Sequence, residues 1–210
     1  MVITKSKPLE EILKALGEIR NIFLIGCGGC ATYCKTGGED EVWLLDEKLA
    51  EYGKHTVGYT IVDMVCHSLL LRKELRTHSE EIKHAQGIIV LACGTGVQLV
   101  SENLRDKKVI PGLDTLFLGA IRRYGDFVEY CKLCGECLLD KTGGICPVAQ
   151  CPKHMLNGPC GGVSNGMCEI NSDLECVWVK IFKICGKDVL SALRGPINFE
   201  NQAHVGHVKI

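Results

Sequence analysis

Along the first 125 residues, short unbroken apolar runs alternate with stretches whose apolar positions recur every three or four residues. That alternation is the signature of buried parallel strands separated by amphipathic helices. Pro8 opens a predicted helix with Leu9, Ile12, Leu13 and Leu16 on one face, and Asn21 to Ile25 follows as a strand ending on Gly26-Cys27. A second helix is predicted over Glu39 to Tyr52, stopped by Gly53, and a strand over Thr56 to Val65 then runs into Cys66. After a charged helical stretch through His84, Gly87 to Ala92 is the strongest strand signal and ends at Cys93-Gly94-Thr95-Gly96. A fourth strand is expected around Val109 or over Thr115 to Leu118, with Gly119 to Tyr124 continuing it. Strand order is left open by the pattern.

The pattern thus predicts an α/β domain over residues 1–126, an open, mainly parallel sheet with flanking helices. From Cys131 to Cys176 the texture changes to many glycines and cysteines with few aliphatic runs. A segment that cannot bury enough apolar surface is often held by metal, so residues 127–180 read as a small metal-stabilised domain, ferredoxin-like or irregular. Residues 181–210 complete a terminal helix spanning Val177 to Leu193 and an extended tail from Arg194 to Ile210.

The 210 residues carry fourteen cysteines and a net charge of −1. So little net charge offers no field for nucleic acid or an anionic membrane. No apolar run approaches the roughly 20 residues of a membrane span, and the start has no signal-like apolar region, so a cytoplasmic protein is expected. In a reducing compartment metal binding is the main use for so many thiols; the disulfide-stapled alternative belongs to short secreted chains.

Cys27-Gly-Gly-Cys30-Ala-Thr-Tyr-Cys34 is a C-x2-C-x3-C loop after a strand, and Cys66 and Cys93 come from later strand ends. In an open α/β sheet those ends face one crevice. Several thiolates converging on one compact object, with glycines permitting close backbone approach, suit an iron-sulfur cluster. Cys27, Cys30, Cys34 and Cys93 are the preferred ligands and Cys66 a fifth candidate; Gly28, Gly29, Gly94 and Gly96 are expected to offer amides. Zinc would suit similar spacing, and Cys66 could be a buried thiol. The second constellation begins with Cys131-Lys-Leu-Cys134-Gly-Glu-Cys137, the C-x2-C-x2-C run of ferredoxins. Cys146, Cys151, Cys160, Cys168 and Cys176 bring it to eight thiols, enough for two cubanes or for one cubane and one tetrahedral zinc. Their grouping is not readable from spacing. Cys185 reads as a packed thiol, His154 as the one alternative ligand, and the His204 and His207 pair as part of a solvated tail. The sequence has no G-x-x-x-x-G-K-[ST] loop and no G-x-G-x-x-G after the first strand, and no nucleophile-base pair stands out, so no catalytic residue is assigned.

The run Gly143-Gly144-Ile145-Cys146-Pro147-Val148-Ala149-Gln150-Cys151-Pro152-Lys153-His154-Met155-Leu156-Asn157-Gly158-Pro159-Cys160-Gly161-Gly162, then Met167-Cys168-Glu169 and Glu175-Cys176-Val177-Trp178, resembles the methylenetetrahydrofolate reductase C-terminal-like family. The likeness extends back through Cys131 to Cys137, Ala92-Cys93-Gly94 and Gly26-Cys27-Gly28. In that family the domain occurs as the small iron-sulfur subunit of bacterial, notably acetogen, reductases, beside a flavin-bearing barrel subunit. The resemblance implies two or three clusters of the 4Fe-4S type, with zinc an alternative at one site and no flavin in this chain. It also implies an upstream donor subunit or ferredoxin, and delivery of electrons to the partner that reduces methylenetetrahydrofolate to methyltetrahydrofolate in one-carbon metabolism. A barrel needs about 250 residues of its own, so the folate site is expected in the partner. The rival reading is a zinc-stabilised scaffold joining the reductase to its donor; a mixed protein, with cluster and zinc, lies between them.

Overall fold

The computed structural model describes residues 1–193. It divides into two compact units, Met1–Phe117 with Arg123–Asp126, and Leu118–Arg122 with the chain from Phe127 onward.

In the first unit, β1 (Val2–Ser6) and α1 (Leu9–Leu16) lead to β2 (Asn21–Cys27), the one-turn α2 (Cys30–Tyr33) and α3 (Glu39–Glu51). Then come β3 (His55–Val62), α4 (Ser68–Thr77), α5 (Ser79–His84), β4 (Gly87–Leu91), α6 (Gly94–Asn103) and β5 (Lys108–Pro111). The sheet has the order β3-β2-β4-β5 and every pair in it is parallel. The expected parallel sheet with flanking helices is therefore present. Ile22 to Ile25 of β2 and Ile88 to Val90 of β4 are fully buried, because helices cover both faces. Burial on both faces is also what made them unbroken apolar runs.

Three details differ from the sequence reading. Val2–Ser6 is a strand that the sequence reading did not assign. β3 stops at Val62 rather than Val65, since Asp63 to Cys66 form a turn in which the His67 amide donates to the Met64 carbonyl at 2.9 Å. The fourth parallel strand is the Val109 candidate. Thr115 to Leu118 instead lies in β6 (Leu113–Arg123), which belongs with β1 and β7 (Asp126–Cys131) to a separate sheet of order β1-β6-β7.

In the second unit long irregular stretches separate α7 (Pro147–Gln150), α8 (Val177–Cys185) and α9 (Val189–Leu193). The single terminal helix of the sequence reading is thus two, parted at Gly186, whose φ of 73° is left-handed. Trp178, 1% exposed, and Ile181 anchor a small core with Cys151, Cys176 and Val189. The Trp178 indole N–H donates to the Met155 carbonyl at 2.9 Å. The expected tail, with His204 and His207, lies outside the described residues. Among the described residues no helix is long and apolar enough to cross a membrane.

Candidate metal centres

The chain runs from β2 outward to β3, then crosses back over β2 to β4, so the strand order reverses between β2 and β4. The crevice outside the carboxyl ends at such a reversal is where open α/β sheets hold ligands. Cys27 is the last residue of β2, in register with Val62 at the end of β3. Cys66 follows four residues later. Gly26 is in register with Leu91, the last residue of β4, and Cys93 follows two residues on.

The loop after β2 is tied at both ends. The Cys27 amide donates to the Gly37 carbonyl at 2.8 Å, the Thr32 hydroxyl to the Cys27 carbonyl at 2.7 Å, and the Thr36 amide to the Ala31 carbonyl at 3.0 Å. The buried hydroxyls of Thr36 and Thr4 bond at 2.7 Å and fix the loop to β1. A Cβ on Gly37 would lie 2.2 Å from the Leu91 carbonyl oxygen, so only glycine lets the loop close against the end of β4.

Cys66 follows β3 at the same edge. Although exposed, its thiol is pushed upward in pKa, first by lost hydration and then by the charges of Cys93, Cys27 and Cys30. Those four thiols are therefore electrostatic neighbours at the strand ends. Cys34, which the sequence reading put ahead of Cys66, is buried, its Sγ donating to the Val2 carbonyl at 3.8 Å. Cys93 is the N-cap residue of α6, so the positive end of that helix lies at this residue. Two of the glycine amides expected to face sulfur are engaged in the protein: Gly28 donates to the Val62 carbonyl and Gly94 to the Thr115 hydroxyl, both at 2.8 Å.

In the second unit the eight thiols separate into two sets. Cys151, Cys160, Cys168 and Cys176 line one narrow cavity of about 20 Å³, walled also by Pro152 and Trp178. Cys151 and Cys176 are buried and the other two half-buried. Beside them Lys153 pairs with Glu169. The remaining four are Cys131, Cys134, Cys137 and Cys146. Cys131 ends β7 and its sulfur accepts a hydrogen bond from the Leu133 amide at 3.4 Å. The Cys134 thiol donates to the Glu136 carbonyl at 3.3 Å, and Leu133 and Gly135 take left-handed φ values of 55° and 81°, coiling the run. Cys146 faces a cavity of about 470 Å³ lined also by Arg122, Tyr130, Leu139, Ile145 and Gln150.

His154 has its Nδ1 2.8 Å from the Val148 carbonyl and lines neither cavity. Cys185 packs among the apolar residues of the second core. Among the described residues no three His, Cys, Asp or Glu side chains stand close enough to share a single ion. Cys151, Cys160, Cys168 and Cys176 share a cavity, whereas Cys131 and Cys137 are exposed and Cys146 lines a separate one.

The sequence reading missed the Arg122–Tyr130 pair, and it gave Cys66 only as a fifth candidate. Cys66 had a signal, its place just beyond a strand like Cys27 and Cys93; the pairing of Arg122 with Tyr130 depends on strand partners and had none.

Residues 110–195 match a family model described as Methylene-tetrahydrofolate reductase C terminal. Comparison with curated proteins and with solved structures gave no match. The matched segment contains both thiol sets of the second unit and associates the chain with methylenetetrahydrofolate reductase; Cys27, Cys30, Cys66 and Cys93 precede it.

Proposed function

We propose that the chain is an iron-sulfur electron carrier for methylenetetrahydrofolate reductase, delivering electrons to a flavin-bearing barrel subunit that holds the folate. The observation that carries this reading is the gathering of Cys27, Cys30, Cys66 and Cys93 at the reversal of strand order. Four thiols from three turns are a donor set for iron-sulfur rather than for a hard cation. The association of the second unit with the reductase supplies the partner.

A bound cluster supplies reversible one-electron storage at thiolate-held iron. The chain's residues do the rest. Cys27 and Cys30 are presented on a closed loop, Cys93 on the positive end of α6, and Cys66 from the turn beyond β3. In the second unit the Leu133 amide already donates to Cys131, the type of hydrogen bond that tunes thiolate-bound clusters. Cys131, Cys134, Cys137 and Cys146 would hold a second cluster, and Cys151, Cys160, Cys168 and Cys176 a third metal group. Electrons would enter singly from an upstream donor. The two electrons of the folate reduction would be collected at the partner's flavin, with its two protons drawn from solvent.

One observation favours a second reading for the last set: a cavity of about 20 Å³ has room for one water-sized sphere, which suits zinc better than a cubane. The protein would then be mixed, with iron at Cys27 to Cys93 and zinc at Cys151 to Cys176.

The test is the iron, zinc and acid-labile sulfide content of anaerobically purified full-length chain, with visible spectra before and after reduction. Iron with matching sulfide and a band that bleaches is the expected result. Zinc alone, without colour, would overturn the carrier reading in favour of a scaffold.

A further inference from the structure

We propose that Lys153 and Glu169, neither of them a ligand, position the thiols of Cys151, Cys160 and Cys168 for a shared metal by pinning together the three loops that carry them. The inference rests on the metal reading of the cavity these thiols share with Cys176, and deepens it. Each part of the clamp stands beside a cysteine in the chain: Cys151-Pro152-Lys153, Cys160-Gly161-Gly162 and Cys168-Glu169. The Lys153 ammonium pairs with the Glu169 carboxylate, and both side chains are half-buried. The same carboxylate lies against Gly162, where any Cβ would overlap it, so the third loop passes this ion pair only as glycine. Gly161 is the opposite case, with open space where a Cβ would stand.

The fourth thiol is joined by backbone. Met167 bridges Glu175 in antiparallel fashion, the Cys168 amide donates to the Leu174 carbonyl and the Cys176 amide to the Gly166 carbonyl, both at 2.8 Å. Backbone therefore ties Cys168 to Cys176, and the ion pair ties that hairpin to the loops of Cys151 and Cys160. Lys153 also lines the cavity, which Glu169 does not. A divalent ion held by four thiolates is a net anion, so an ammonium in the wall favours it. Glu175, the carboxylate in the same wall, is committed to Lys183 at 2.6 Å. Groups that orient metal ligands without touching the metal are typically worth about ten- to a hundredfold in affinity.

The experiment is a chelator challenge of anaerobically purified full-length chain, measuring the zinc and iron retained as EDTA is raised. Cys160→Ser identifies the metal of this set by removing it. Glu169→Gln and Lys153→Met are each expected to lower the EDTA concentration that strips half of that metal about tenfold. The double variant should fall no further than either single one, because the two residues act as a unit. Lys153→Arg, which keeps the charge, should retain most of the wild-type resistance. Gly162→Ala displaces the carboxylate without removing a charge and should match Glu169→Gln, while Gly161→Ala should match the wild type. Unchanged retention in Glu169→Gln, additive losses in the double variant, an equal loss in Lys153→Arg, or equal effects of the two glycine substitutions would overturn the proposal. Cys160→Ser with the metal content of the wild type would instead defeat the metal reading of this set, and the inference with it.

Discussion

Cys34 and Cys66 show how a thiol's role depends on what lies opposite it. The spacing C-x2-C-x3-C places Cys34 with Cys27 and Cys30, but its sulfur turns to the Val2 carbonyl, on a strand that five residues ending in Lys5-Ser6 do not advertise. Cys66 comes from a turn far along the chain and meets Cys93, Cys27 and Cys30. Cys66→Ser is expected to lose the iron of one cluster, and Cys34→Ser to leave iron content unchanged, by metal analysis of the two anaerobically purified variants. Iron retained in the first and lost in the second would return Cys34 to the set. The same contrast marks the limit of spacing as a guide: it identified the residue type and the loop, whereas the direction of each side chain was fixed by a strand pairing not visible locally.

At the scale of elements, β2 and β4 were legible because burial on both faces leaves an unbroken apolar run, and their ends located the candidate site. The strand β1 and the strand β6 were not, since neither has a clean alternation: β6 is half-buried along much of its length and takes its place from neighbours on two sides. Helix α8 was legible as a helix, but its end at Gly186 was not. Its buried face is the anchor of the second unit. Trp178→Ala would empty a site that is 1% exposed and remove the indole's bond to Met155, at a cost of about 3 to 5 kcal/mol. Chemical denaturation followed by far-UV circular dichroism is expected to show the second unit melting earlier, with the parallel sheet unaffected. A shift below about 1 kcal/mol would mean that α8 does not anchor that unit.

The whole molecule divides its sources of stability between its two units. The first has a continuous apolar core around four parallel strands, while the second has a small core in which two of the buried residues are cysteines. On the proposed reading, a unit with so little apolar burial would draw part of its order from bound metal. Removing metal with a chelator under reducing conditions is expected to raise amide exchange through residues 131–176 far more than through β2 and β4. Equal loss of protection in both units would show that the first unit also needs metal to fold.

The loop from Cys27 to Gly37, closed by its own hydrogen bonds, implies an order of assembly. Its thiol-bearing backbone has already given up its conformational freedom before any iron arrives, so ordering costs little when a cluster forms there. Cys131 and Cys137 are exposed and must be gathered by what they bind. When iron and sulfide are scarce, the first unit should therefore fill first, and the chain would pass through a state with one redox centre in place and the path onward not yet built.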